Sequence, residues 1–276
     1  MTLFHSKQVL GSLIFGIALA LSNSASAQQH PLADVHIHYS HDAWEIFPPK
    51  EAVAILRKAG LKYAFVSSSS DDGTQMLYAE APDLIVPVLR PYRRRGELST
   101  WMHDPTSLDN LRTRLSENTY AGIGEFHAYG DDIETDVLRG VIALADKYDL
   151  FLHAHSDAEA IHLIFKQDPG ARVLWAHSGF EDPSMVGEIL ATYPRLWSDL
   201  AFRSDQAYDG EVSADWRALF EAFPDRLMIG TDTYTPERWP YVTAHAEWTR
   251  EWLEDLPTDL AEKIAWRNAE GLLKAR

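Results

Sequence analysis

The sequence predicts an α/β fold, a single (β/α)8 TIM barrel, on three observations. Short, nearly continuous apolar runs alternate with stretches of helical spacing, eight units in all, joined by short connections. No break in composition divides the chain. The length that remains once an N-terminal export segment is set aside, 249 residues, matches the roughly 250 residues such a barrel needs.

The export segment is residues 1–27. Lys7 is its only formally charged side chain, and it precedes an apolar run over 9–21. The small, polar stretch 22–27 ends Ala25-Ser26-Ala27. These are the n-region, h-region and cleavage site of a signal peptide, so the chain is expected to be exported, periplasmic or secreted. The apolar run is too short for a stable membrane anchor. The barrel domain is then 28–276.

The first strand is carried by Asp34-Val35-His36-Ile37-His38, where apolar and polar residues alternate and His36 and His38 share a face. Residues 50–59 have helical spacing and stop at Gly60. Strand two is 62–66, followed by a serine loop and a helix over 73–81 that Pro82 ends. Strand three is 84–89, and a basic loop, 90–95, follows. A helix over 108–115 leads to strand four, 122–126, which carries Glu125. Helix 137–147, strand five (150–155), helix 158–166 and strand six (172–177) continue the alternation. Helix 185–192, strand seven (196–201), helix 216–223 and strand eight (226–230) complete it, ending at Thr231-Asp232. Helical stretches over 241–253 and 260–274 close the chain.

Composition narrows the function. There is no cysteine, which excludes thiolate metal sites and thiol nucleophiles. The formal charge of −16 argues against a broad phosphate-tracking surface, so no nucleic-acid partner is expected; its ordinary explanation is solubility.

In this architecture chemistry sits at the carboxyl ends of the strands. His36 and His38 end strand one, Glu125 and His127 strand four, His153 and His155 strand five, His177 strand six and Asp232 strand eight. Each alone has an ordinary explanation: a strand-terminal Asp caps a turn, and a lone His is usually a hydrogen-bonded core residue. Together they are candidate metal ligands. Imidazole and carboxylate without thiolate suit one or two divalent ions, zinc foremost, with manganese, iron or nickel also compatible.

With the strings Gly-Glu-Phe-His (124–127), His-Ala-His-Ser-Asp (153–157), Trp-Ala-His-Ser-Gly (175–179) and Gly-Thr-Asp-Thr (230–233), and the late Arg267-Asn268-Ala269, the chain resembles the amidohydrolase superfamily, in its amidohydrolase-related branch. The resemblance spans essentially the whole of 28–276. It implies that His36 and His38 hold the more buried metal, that Glu125 bridges two metals, and that His155 and His177 bind the second. Asp232 would bind the first metal and take a proton from its water, which makes Asp232 and His177 the candidate catalytic residues. Asp34 would stand behind the ligands. Between His153 and His155, the latter lies nearer the mouth; His153, like His127, is a neighbour or an alternative ligand.

The implied reaction is attack of a metal-activated water on an ester, amide, lactone or phosphoester bond of a small-molecule substrate. Three other readings exist. Some relatives are non-oxidative decarboxylases, which lack the strand-four carboxylate, so Glu125 counts against that reading. A TatD-like nuclease shares the Glu, but acidity and export oppose it. A non-catalytic exported metal-binding module is a different class, and the full ligand set opposes it. For substrate binding, Arg203 after strand seven is the foremost candidate cation, ahead of Arg90 and the arginines at 93–95. Trp44, Phe47, Tyr129, Tyr208, Tyr234 and Trp239 could line the same face or simply pack the loops. Oligomeric state is not legible.

Overall fold

A computed structural model describes Met1 and residues 30–275. The export segment expected over 1–27 therefore lies outside the described residues, apart from Met1.

Eight parallel strands form one sheet in the order of the chain: β1 (Leu32–Ile37), β2 (Leu61–Val66), β3 (Ile85–Leu89), β4 (Gly122–His127), β5 (Phe151–His155), β6 (Val173–Trp175), β7 (Leu196–Asp199) and, after the small hairpin β8 (Ala207–Tyr208) and β9 (Glu211–Val212), β10 (Leu227–Met228). The seam between the first and last strands is bridged by Val35 N–H to Ile229 O and His38 N–H to Thr233 O, both 2.9 Å. The result is a nearly closed barrel with helices outside it, as the alternation predicts.

The helices start and stop for local reasons. Thr135 caps Asp136–Tyr148 by accepting the Leu138 N–H, and the chain leaves that helix through Asp149 in the left-handed region. Asp157 caps Ala158–Gln167 in the same way through Ala160. Proline opens Pro49–Lys58 and Pro183–Thr192, where its missing N–H costs nothing. No helix among the described residues is long and apolar enough to cross a membrane.

An apolar floor lies beneath the polar rim. Phe65, Val88, Phe151 and Trp197 cluster with Met228, Leu174 and Leu272. Each of the first four stands two residues before a rim residue, Ser67, Arg90, His153 and Asp199 respectively, so the same strand face turns from apolar to polar toward its carboxyl end.

Several features differ from the alternation read in the sequence, among them strands seven and eight, which end at Asp199 and Met228 rather than at 201 and 230. In β1, Asp34 pairs with Ala64 and Ile37 with Val66, three steps against two. In β4, Gly124 pairs with His153 and Phe126 with Ala154, two steps against one. These bulges fall at His36 and Glu125 and re-aim their side chains. Strand six ends at Trp175, short of the expected 177, and His177 takes a left-handed conformation with φ 57°.

Candidate metal centre

The strand ends bring the polar residues to one place. Glu125 and Asp232 sit among three imidazoles. His36 Nε2 is 3.4 Å from Glu125 Oε1 and 3.6 Å from Asp232 Oδ1. His38 Nε2 is 3.2 Å from both Glu125 Oε2 and Asp232 Oδ1. His177 Nε2 is 3.6 Å from Glu125 Oε1 and 3.9 Å from Asp232 Oδ2. The side chains of all three histidines are buried.

The other ring nitrogen settles what each histidine presents. His38 Nδ1 lies against the Ser67 carbonyl, and His177 Nδ1 against the Ala201 carbonyl at 2.9 Å. His36 Nδ1 faces Asp199 Oδ2 at 3.1 Å. A carbonyl or carboxylate can only accept, so each Nδ1 carries the proton and each Nε2 offers a bare lone pair inward. Those three Nε2 atoms are buried without a hydrogen-bond partner. Three orphaned lone pairs beside two carboxylates, spaced 3.2–3.9 Å, fit a cation: ligand atoms about a tetrahedral Zn²⁺ stand roughly 3.3–3.5 Å apart at ordinary bond lengths. The residues present therefore fit a divalent ion: His36, His38 and Asp232 bring three ligand atoms together, as do His36, Glu125 and His177 beside them and Glu125, His127 and His155 further out.

The electrostatics agree. Burial alone would disfavour charge on His36, but Asp199, Asp232 and Glu125 outweigh it and favour positive charge at the ring, holding its pKa well above the usual range; a metal ion at Nε2 would take the place of that proton. Burial would raise Glu125, yet the charge of His36 and the close approach of His155, His177 and His36 hold its carboxyl well below the usual carboxylate range. The cluster is a well for positive charge.

The remaining site residues are placed as follows. His155 puts Nδ1 2.7 Å from Glu125 Oε1 and lines the cleft. His153 is deeper, with Nε2 3.1 Å from Asp199 Oδ2. His127 stacks on His155, ring centroids 4.0 Å apart, and its Nδ1 meets the Tyr92 hydroxyl at 2.8 Å. Asp34 lies behind the cluster, accepting from Thr231 Oγ1 at 2.6 Å and from the His36 N–H; burial pushes its carboxyl up to about 6.

A cleft of about 520 Å³ opens over these groups, lined also by Arg90, Arg94, Arg95, Leu98, Phe180, Phe202 and Tyr234. Arg203 is not part of its lining. Its guanidinium is taken up by Asp205 at 2.8–2.9 Å and by the Glu181 carbonyl at 2.9 Å, and it lies over Trp216. The cation that reaches the site is Arg90. Its Nη2 donates to Glu125 Oε2 at 2.8 Å and its Nε to the Glu125 carbonyl at 3.1 Å. Of the aromatic candidates, Tyr234 lines the cleft, whereas Phe47 and Trp239 stack on each other to pack the loops.

Two functional residues escape the sequence reading. Asp199 orders His36, His153 and the turn at His177, whose N–H it accepts at 2.9 Å together with that of Ala201 at 3.0 Å. The signal was present, since Asp199 ends the apolar strand Leu196–Asp199. Phe180 stacks on His177, 4.7 Å between centroids at 13°; nothing in its sequence context marks it.

A parallel barrel with imidazoles and carboxylates converging on a cation-shaped gap at its rim defines a metal-dependent barrel hydrolase. The amidohydrolase family model matches residues 33–275, and the chain belongs to that family. It is an enzyme, a metal-dependent hydrolase. No curated protein matches it. Among solved structures, a Pseudomonas putida protein provisionally named 2-pyrone-4,6-dicarboxylic acid hydrolase is similar at 14% identity and TM-score 0.63, covering 89% of this chain and 98% of that one. A second such protein, from Acinetobacter baumannii with citric acid bound, gives 10% and 0.57, covering 88% and 99%. A β-aspartyl dipeptidase from Fervidobacterium islandicum gives 16% and 0.55, covering 88% and 72%. At these identities the likeness is one of fold.

Proposed function

We propose that this chain hydrolyses an ester, amide, lactone or phosphoester bond of a small molecule, with zinc the foremost candidate ion. The observation that carries the reading is the set of three inward, partnerless Nε2 atoms facing Asp232 at the floor of an open cleft. When bound, a divalent ion supplies a water acidified toward neutrality and a Lewis acid for the scissile oxygen.

The chain's own residues do the rest. Asp232 Oδ1 faces His36 and His38, while Oδ2 is more distant from its neighbours, 3.9 Å from His177 Nε2. Oδ2 is the atom that takes the proton from the attacking water and returns it to the leaving group. His177 presents a lone pair, so it serves as a ligand rather than as an acid. Phe180, Phe202, Leu98 and Tyr234 give the cleft an apolar wall, while the Arg94 and Arg95 guanidiniums that also line it are paired, with Glu97 at 3.4 Å and with Asp42 at 2.7 Å. That lining suits a small substrate with an apolar body. The pattern of residues 1–27 supports an exported, periplasmic or secreted location.

The test is metal analysis of purified protein together with a panel of esters, lactones, amides and phosphoesters. Turnover that disappears on chelation and returns with Zn²⁺ or Mn²⁺ is expected. A metal-free protein with full hydrolase activity would overturn the reading.

A further inference from the structure

We propose that Arg90 closes the second metal position, so that the rim holds one divalent ion per chain. The inference rests on the metal-dependent reading above and concerns how many ions that site takes.

Glu125 is the residue a second ion would have to share, and both of its oxygens are engaged. Oε2 receives Arg90 Nη2 at 2.8 Å, and Arg90 Nε holds the carbonyl of the same residue at 3.1 Å. Both side chains are buried, 9% and 2% exposed. Two bonds to one residue fix the guanidinium fork, and its Cζ lies 4.7 Å from the Tyr92 ring centroid. Oε1 is 2.7 Å from His155 Nδ1; Glu125, His127 and His155 still bring three ligand atoms within 4.8 Å of one another, so it is the Arg90 contact that decides whether an ion enters there. The contrast with His36, His38 and His177 is direct. Their bare nitrogens stand 3.2–3.9 Å from the carboxylate oxygens and lack partners.

Charge leads to the same count. Three carboxylates touch these imidazoles: Glu125, Asp232 and Asp199. Arg90 cancels one. The remaining two negative charges match a single divalent cation. A second would leave two positive charges in a buried site with only Asp34, behind the cluster, as a further counter-charge from the chain, which is unfavourable.

The experiment is metal titration of chelator-stripped protein, with bound Zn²⁺ counted after dialysis and Mn²⁺-loaded protein examined by electron paramagnetic resonance. Wild type is expected to hold about one ion and to give an uncoupled Mn²⁺ signal, because a shared two-ion site is absent. Arg90→Gln should admit a second ion, or tighten a weak second binding event at least about tenfold. Arg90→Lys, which keeps the charge, should stay at one, and His155→Ala should keep its ion. Circular dichroism and melting confirm that each variant is folded. Two ions per wild-type chain, or a spin-coupled manganese pair, overturns the inference, and so does a folded Arg90→Gln protein that still takes one. The wild-type spectrum decides the count even where the variants do not fold. Absence of any bound ion would instead sink the metal-dependent reading itself.

Discussion

Asp199 accepts a hydrogen bond from His36 at 3.1 Å through Oδ2, deep in a barrel where neither side chain meets solvent. The same oxygen lies 3.1 Å from His153 Nε2. Burial would raise the Asp199 carboxyl, but the charge of His36 and the hydrogen bonds from His153 and His36 reverse this and hold it well below the usual range. Asp199 therefore stays ionised, fixes the His36 tautomer and makes its Nε2 a better donor to a cation. Asp199→Asn should weaken metal binding by roughly 10–100-fold, the usual cost of losing such a support. Competition against a chromogenic chelator measures it, and unchanged affinity would deny Asp199 this role.

Phe180 supports His177 from the cleft side. It is bulky, 56% exposed and held at φ 58°, a conformation that only a constrained loop imposes on such a residue. Its ring lies over the imidazole and forms part of the cleft wall. A wall contact is made in the ground state and the transition state alike, so Phe180→Ala should raise KM several-fold with a smaller change in kcat. A drop confined to kcat would show that it acts on the chemistry through His177 instead.

The barrel was legible because its signals are redundant: an apolar strand, a capped helix and a short connection, repeated. The converging groups were legible because the architecture puts strand ends at one rim. What stayed hidden depends on departures from regularity. A bulge at His36 or Glu125 leaves no mark in a string of alternating residues. At Gly124, beside the second bulge, a Cβ would stand 2.2 Å from the His153 carbonyl oxygen, yet the glycine reads from sequence as an ordinary strand interruption. Which arginine reaches the site is likewise a matter of loop path. Arg90 leaves β3 directly over Glu125, whereas Arg203 turns back beneath its loop.

Arg203 is expected to act on stability. It donates to Asp205 and to the carbonyl of Glu181, and Trp216 Nε1 donates to the same carboxylate at 2.8 Å. Truncation removes charged hydrogen bonds from a half-buried network at a cost of about 2 kcal/mol. For a chain of this size that corresponds to a fall in Tm of roughly 4–8 °C. Arg203→Ala should show this fall in a thermal melt while leaving the preference between carboxylated and neutral substrates unchanged. A selective loss of carboxylated substrates would return Arg203 to the binding site.

Asp232→Asn separates holding the ion from moving the proton. The amide keeps an oxygen facing His36 and His38 but cannot serve as a base at neutral pH. General-base catalysis of this kind contributes typically 10²–10⁴-fold, so kcat should fall by about that factor while metal content stays near that of wild type. Loss of the ion in proportion to activity would show that the carboxylate's charge is needed for binding rather than for proton transfer.

His245 gives the fold a pH dependence of its own, away from the cation site. It lies on the helix Tyr241–Leu253, partly buried, with Nδ1 3.4 Å from Thr249 Oγ1. Burial first, and then the Arg238 charge, push its pKa down to about 4. The unfolded chain takes up this proton near pH 6.5 and the folded chain only near pH 4, so between those values the unfolded state binds more protons and stability rises with pH. The stabilisation of the neutral ring is fully present above about pH 6.5 and is lost as the pH falls toward 4, by at most roughly 3.5 kcal/mol at 1.4 kcal/mol per unit. His245→Gln should flatten the stability profile across this window when denaturant midpoints are measured on metal-stripped protein, which keeps ion binding out of the comparison. A profile as steep as that of wild type would place the pH sensitivity elsewhere.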